Sequence, residues 1–434
     1  MLGRMTGGLG MGGAYGATLE RIQGQDGDRA KFAMEVLMWV SRSGRPLDAQ
    51  ELCHALGIEE DSKGLDPENV PAIETLLSCC LGLVTMDEEG SKVRLIHLTL
   101  HEYLGGRPDL FGSAHTKMAD VCLTYLNFQS IKDLSPTLQE PPETAPFLYY
   151  ASCYWGVHAR KELSKPTLTL ALQLLNQYDH HVAARMLLVD RGFYYYGLPA
   201  REDSGTWGLH AIAYFGVVEI VTVMINSGSW EVNKCDALHL TPLMWAVKYN
   251  NREVCEVLLE LGGADPNTED DRGNTPLIVA SSTGSDGIVK LLLERKEVNP
   301  DSSNKGGRTP LSEAAEGGHE DIVKLLLERK EVNPNLPNSE GQTPLLWAAR
   351  GGHEGVVRLL LERKEVNPDS SDEDGQTPLL WAARRGHEDT MKLLLERTEV
   401  NADSSDIYGY TPLLWEAWRG NDEENLKYFL KARA

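Results

Sequence analysis

From about residue 202 to the end, apolar and polar positions recur with a single period. The tripeptide Thr-Pro-Leu starts at Thr241, Thr275, Thr309, Thr343, Thr377 and Thr411, each 34 residues after the last. Leu209, in "WGLHAIAYFG", lies 34 residues before Leu243, so a degenerate copy precedes them and seven copies span residues 202–434. One copy reads "GQTPLLWAARRGHEDTMKLLLER". Its apolar residues fall at helical spacing in two short runs. Thr377 suits a helix N-cap, and Pro378 suits the first helical position, where no N–H is needed. Ala382 and Ala383 let neighbouring helices approach, and Gly386 breaks the chain. A second helix then turns Met391, Leu394 and Leu395 inward. A glycine or asparagine closes the first helix of every copy: Gly216, Asn250, Gly284, Gly318, Gly352, Gly386 and Gly420. A helix pair this short buries its apolar face only by stacking on its neighbours, which predicts an α-solenoid over residues 201–434.

The first half has a different pattern. Phe32, Val36, Leu37 and Val40 share one helical face. "RPLDAQELCHALG" follows, with Asp48 and Glu51 at capping-box spacing. A third helix reads "VPAIETLLSCCLG", residues 70–82, and "LVTMDEEGSKVRLI" reads as strand, acidic turn with Gly90, and strand. Three helices and a hairpin predict a winged helix over residues 17–112. A helical linker region follows at 113–200, and a flexible glycine-rich tail precedes at 1–16. The fold class is therefore mostly α. The third helix has no Lys or Arg and carries Glu74, which speaks against DNA binding.

Composition narrows the class. Of 434 residues 41% are hydrophobic, as in a globular protein. The longest apolar candidate, "VVEIVTVMI", carries Glu219 and is too short to span a membrane. No apolar signal core opens the chain, so a cytoplasmic location is expected. Seven scattered cysteines with no C-x-x-C pair argue against a disulfide framework or a zinc site. The net charge is −22, with 40 acids against 25 bases in residues 201–434 and 24 against 17 before them. Neither half is basic, so neither nucleic acid nor an anionic membrane is an expected partner.

Candidate chemistry is sparse. "GLGMGG" fits G-x-G-x-x-G at Gly8, Gly10 and Gly13. No strand precedes it and no G-K-S/T follows, so it reads as a mobile stretch rather than a phosphate loop. His97 and His101 stand four apart with Glu102 beside them, without the acidic residue or third ligand of a zinc site. His319, His353 and His387 recur 34 apart and read as structural helix-opening residues rather than a metal stripe. There is no Walker motif, no G-x-S-x-G elbow and no nucleophile with a base, so neither an enzyme nor a cofactor is expected. Trp245, Trp347, Trp381 and Trp415 share one repeat position. They are expected mostly between the first helices, with a partly exposed ladder as the other reading.

The repeat resembles the ankyrin repeat, whose signature is "TPLHLAA..GH". The histidine after T-P-L is kept only as His210, and four copies read "ERKEVN" or "ERTEVN" where the family has Gly-Ala, kept here as Gly263-Ala264. The resemblance implies protein partners bound on a concave face, built from first-helix ends and loop tips. By position these are Tyr249, Arg350, Arg384, Arg385, Trp418 and Arg419 at helix ends. At loop tips they are Lys305, Arg308, Glu373, Asp374, Gln376, Tyr408 and Tyr410. Arginines on an acidic domain point to a partner with carboxylates.

"ATLERI", "RPLDAQEL", "GLVTMDEEGSKVRLIHLTLHEYL" and "AHTKMADVCLTYLNF" resemble the winged-helix region, of GPI inositol-deacylase type, behind the ATPase of fungal NACHT–ankyrin proteins, which are NLR-like signalling switches. "PFLYYASCYWGVHAR", residues 146–160, resembles the helix joining that region to the repeats. The resemblance implies a role for His97 at the nucleotide's phosphates in the closed, ADP-bound state, followed by Glu102 and Tyr103. The NACHT core itself is absent from this sequence. The expectation is therefore a non-enzymatic interaction scaffold or, alternatively, the sensor half of a truncated NACHT switch in fungal non-self recognition, with the winged helix as an intramolecular contact of the missing core.

Overall fold

The computed structural model describes residues 11–59, 62–87, 91–190, 207–236 and 238–419. Gly8, Gly10, Gly90 and residues 420–434 lie outside them. The fold is mostly helical, 56% helix and 2% strand. The chain divides into two compact units, residues 1–224 and 225–434.

The first unit opens with α1, Met11–Gln23. It begins inside the stretch read as a tail to residue 16, because Tyr15, Leu19 and Ile22 recur on one helical face and are buried. The Tyr15 hydroxyl also meets Thr99 Oγ1 at 2.8 Å. Next come α2 (Gly27–Arg42), α3 (Ala49–Leu56) and α4 (Ile73–Cys79). In α2 the buried face centres on Ala33, Val36, Leu37 and Trp39, while Phe32 and Val40 are half-buried. At the start of α3 Glu51 accepts the Asp48 N–H at 2.9 Å, as the capping-box spacing predicts. Strands β1 (Val84–Met86) and β2 (Val93–Leu95) pair antiparallel with Val84 opposite Leu95. Three helices and a hairpin are therefore in place, followed by α5, Leu98–Gly105.

The helices α6 (Ala114–Leu126), α7 (Gln129–Lys132), α8 (Leu148–Lys161), α9 (Lys165–Leu175) and α10 (Val182–Asp190) come next. Here α8 lies against α6 and α10. Trp39 of α2 meets Phe147 and Tyr150 edge-on, each at 5.8 Å, so the winged-helix and linker regions share one core. The degenerate first copy forms α11 (Trp207–Phe215) and α12 (Val218–Asn226). Every residue of α11 from Gly208 to Phe215 is buried, and it packs on α8 and α9. Phe215 stacks obliquely on Trp155 at 5.0 Å, over Gly156, where a Cβ would stand 2.2 Å from the ring.

The second unit is a stack of helix pairs. First helices are α13 (Pro242–Lys248), α15 (Pro276–Ser282), α17 (Pro310–Gly317), α19 (Pro344–Gly351), α21 (Pro378–Arg385) and α23 (Pro412–Arg419). Second helices are α14 (Arg252–Glu260), α16 (Asp286–Leu293), α18 (Glu320–Leu327), α20 (Glu354–Leu361) and α22 (Glu388–Leu395). Each first helix packs on the next first helix and each second on the next second, the row that the 34-residue period requires. The caps work as expected: Thr241, Thr275, Thr309, Thr343 and Thr377 accept the N–H three residues on, at 3.2–3.4 Å. Asn250, Gly284, Gly318, Gly352 and Gly386 hold φ between 55° and 77°, the left-handed turn that lets the second helix fold back. Loop tips are tied in series: the N–H groups of Lys305, Ser339, Glu373 and Ile407 donate to the carbonyls of Arg272, Gly306, Glu340 and Asp374.

Candidate protein-interaction surface

The tryptophans of α13, α19, α21 and α23 occupy equivalent places on their helices. Trp245 Nε1 donates to Asp236 Oδ2 at 2.7 Å, and Trp381 Nε1 to Asp372 Oδ2 at 3.2 Å, an aspartate nine residues earlier each time. Trp245 and Trp347 are buried, whereas Trp381 and Trp415 are half-buried. The row is thus packed at its start and open towards its end.

Arginines fill the gaps between these rings. The Arg350 guanidinium lies 5.0 Å from the Trp347 ring centre and 4.8 Å from that of Trp381. Arg384 lies 5.1 Å from Trp381 and 5.3 Å from Trp415. Arg385 adds a third cation 5.8 Å from Trp381. Each contact between cation and ring face contributes about 0.5–1 kcal/mol at an exposed site. Among the described residues no carboxylate stands within ion-pair distance of Arg350, Arg384 or Arg385. Arg308 differs. It covers Trp347 at 4.4 Å but is also paired to Glu313 at 2.7 Å and to Glu316. Burial holds the Glu313 carboxyl above its ordinary value, opposed only in part by Arg308.

The other residues expected at this surface fall into three groups. Trp418 (82% exposed), Tyr408 (74%) and Tyr410 (48%) form an open aromatic end, with Tyr410 5.0 Å and Trp418 6.0 Å from Trp415. Exposed Arg419 donates to the Arg384 carbonyl at 3.4 Å, and Glu373 and Asp374 are exposed at their loop tip. Lys305 donates to the Asp271 carbonyl at 2.7 Å, and Tyr249 is half-buried against Trp245. Gln376 corrects the expectation: it is buried, donating from Nε2 to Asp406 Oδ2 at 2.8 Å, so it joins two loops and offers nothing to a partner.

The repeat histidines are structural. His353 Nε2 meets the Glu316 carbonyl at 2.8 Å and His387 Nε2 the Arg350 carbonyl at 3.1 Å, each reaching back to the end of the preceding first helix. In the first unit His97 is the N-cap of α5: Nδ1 accepts the Thr99 N–H at 3.2 Å and meets its hydroxyl at 2.9 Å. The ring is exposed, as are His101 and Glu102. No group of three or more metal-ligating side chains occurs among the described residues.

Two arrangements escape sequence reasoning. One is a hydrogen-bonded chain through buried Tyr150 and His158: the Gly44 N–H donates to the Tyr150 hydroxyl (3.3 Å), which meets His158 Nε2 (2.9 Å), whose Nδ1 meets His115 Nδ1 (2.9 Å). Its members lie far apart in sequence and share no spacing. The other is a set of asparagine rungs between repeats. Asn233 and Asn335 each accept an N–H of the next repeat, and Asn233, Asn267 and Asn335 each donate to one of its carbonyls. The Asn or Asp that recurs at 34-residue steps in the linkers, at 233, 267, 301, 335 and 369, is the signal that could have found it.

The profile of the family described as "Ankyrin repeats (3 copies)" matches in overlapping windows, residues 176–270, 209–304, 260–338, 277–372, 330–406 and 364–434, more than half of the chain. The chain belongs to the ankyrin-repeat family. A second profile, "GPI inositol-deacylase, winged helix domain", matches residues 20–110. Among solved structures the chain is similar to the ankyrin repeat domain of Bcl-3, described there as a unique member of the IkappaB protein family. That likeness has 23% identity, a TM-score of 0.46, and covers 53% of this chain and 100% of that one. A search of the curated proteins finds no match. Ankyrin repeats serve as protein-interaction modules rather than as enzymes, and no described helix is long and apolar enough to cross a membrane.

Proposed function

We propose that this ankyrin protein is a non-enzymatic scaffold that recognises another protein on the concave face of its stack, through first-helix ends and loop tips. The observation that carries this reading is the row of Arg350, Arg384 and Arg385, three cations held against tryptophan rings with no carboxylate in ion-pair distance among the described residues. Aromatic and arginine side chains dominate binding hot spots. The triple reversal Arg350→Glu, Arg384→Glu and Arg385→Glu is expected to abolish pull-down of the captured partner while the melting curve moves only slightly. Undiminished binding overturns the assignment. Seven free cysteines, six of them buried, fit action in the reducing cytoplasm.

A second reading is favoured by the winged-helix match and the exposed His97 ring. In it the chain is the regulatory arm of an NLR-like NACHT ATPase, and His97 faces a nucleotide phosphate in the closed state. An imidazole can donate to a phosphate and let go when the domain moves. The size of the native product, by immunoblot of source cells with an antibody to the repeats, decides between the two. A band near 48.0 kDa supports the free-standing scaffold, and a much larger one supports the switch.

A further inference from the structure

The arginine–tryptophan row has a geometry that selects its ligand. Arg350 lies between two indole rings, and so does Arg384. Indoles so close to each guanidinium carbon leave little room for a further ring. What a partner can reach is the edge of each guanidinium, where the N–H groups form a fork. A fork donates two parallel hydrogen bonds to one planar anion such as a carboxylate, and an ammonium cannot imitate it.

The spacing restricts the ligand further. Both guanidinium centres lie about 5 Å from the same Trp381 ring centre (4.8 and 5.1 Å), so they are at most about 10 Å apart. In an extended chain, residues two apart face the same side about 7 Å apart, and long acidic side chains cover the remainder. The ankyrin region carries 40 acids against 25 bases, which disfavours a long polyanion such as RNA and leaves the row a local cationic strip on an acidic body.

Resting on the scaffold reading above, we propose that the row binds an extended acidic segment of a partner protein, with carboxylates at alternate positions held edge-on by Arg350 and Arg384.

The test uses the full chain and fluorescein-labelled peptides of equal length and charge, read by anisotropy at low and moderate salt. One alternates Glu and Thr; one has the same composition as Glu-Glu-Thr-Thr blocks; one is an alanine-rich helix with the same number of Glu on one face; one carries half as many phosphoserines, matching the charge, at alternate positions among Thr. The alternating glutamate peptide is expected to bind at least about tenfold tighter than the blocked isomer and the helix. The double variant Arg350→Lys, Arg384→Lys, which keeps the charge, is expected to lose about as much. A parallel thermal melt shows that the variant is folded, and Arg350→Ala with Arg384→Ala repeats the loss without a substitute cation. Equal binding of all acidic peptides, unchanged binding by the lysine variant, a preference for the helix, or binding of the phosphoserine peptide about tenfold above the glutamate one each overturns the proposal. If no peptide binds while the triple reversal still abolishes capture of the partner, this inference fails and the scaffold reading stands. If the reversal is also without effect, both fall.

Discussion

Trp347 shows how one atom changes a repeat. Trp245 and Trp381 each find an aspartate oxygen nine residues upstream, but the equivalent residue before Trp347 is Asn338. The Asn338 Oδ1 is engaged by the N–H groups of Glu340 and Gln342, and its other terminal atom is a donor. The buried Trp347 Nε1 is left without an acceptor. An unmet buried donor costs about 1–3 kcal/mol. Asn338→Asp supplies the missing oxygen, while the Gln342 amide turns to donate to it. We expect the melting midpoint to rise, with near-ultraviolet dichroism recording a more ordered indole; an unchanged or lower midpoint refutes the account. The same scale governs His158. Burial, then neighbouring His115 and Lys161, lower its pKa to about 3, and burial with Lys161 and Arg42 lowers that of His115 against the pull of Glu162. Both are depressed below the value of a free histidine, about 6.5. The folded state therefore resists protonation, and stability is lost as pH falls below about 6.5, for His158 towards 3 and by at most about 1.4 kcal/mol per pH unit. His158→Gln, which can still accept from Tyr150 and donate to His115, is expected to flatten the fall in midpoint between pH 7 and pH 5. An identical slope in the variant refutes it.

Between elements, the joints of the stack differ by the same kind of exchange. Asn233, Asn267 and Asn335 donate to a carbonyl of the following repeat. At 34-residue steps the matching residues Asp301 and Asp369 bring a carboxyl that has no donor unless protonated. Asp301 still accepts the Asn333 N–H at 2.9 Å, while Asp369 Oδ1 is buried and unpartnered. Burial raises the pKa of both; the Asn333 and Asn401 N–H groups oppose it, and Glu331 adds to it at Asp301. A raised carboxyl stabilises the fold below its unfolded value and ceases to do so as pH rises through the folded one, so at neutral pH these rungs weaken their joints. Asp301→Asn and Asp369→Asn are each expected to stabilise the stack at pH 7, by less than about 1 kcal/mol given their partial exposure, and to reduce the gain seen on mild acidification. Urea midpoints at pH 7 and pH 5 check both. The helix pairs themselves were legible because each repeat spells out its cap, its helix-opening proline and its left-handed turn within the local sequence. The rungs were less so, since the Asn or Asp recurring in the linkers marks a position but not the group it bonds across the joint. Gln376 sits at a loop tip by position and is buried because of Asp406, a residue of the next repeat. The arginine forks were legible as charges on helix ends; that each lies over two rings follows only from the tryptophans of adjacent copies. Helix α1 was hidden by glycines, whose entropy cost is offset by Tyr15, Leu19 and Ile22.

On the scale of the whole chain, periodicity and compactness disagree. The repeat period begins near residue 202, yet the compact units divide after Met224, within the first copy. The reason lies in the composition of α11. "WGLHAIAYF" is apolar all round, and a helix of that kind is buried on every side. It is enclosed by α8 and α9, with Phe215 set into the space that Gly156 leaves against Trp155. Gly156→Ala places a methyl 2.2 Å from that ring, which forces Phe215 out of its seat. Overpacking of this kind typically costs about 1–3 kcal/mol. If residues 1–224 and 225–434 are separate cooperative units, calorimetry resolves two transitions, and Gly156→Ala lowers only one of them. The Asp301→Asn and Asp369→Asn variants should then move only the other. If the glycine variant shifts both transitions together, the chain melts as a single block, and the first copy belongs energetically to the stack that its sequence resembles rather than to the helices that enclose it.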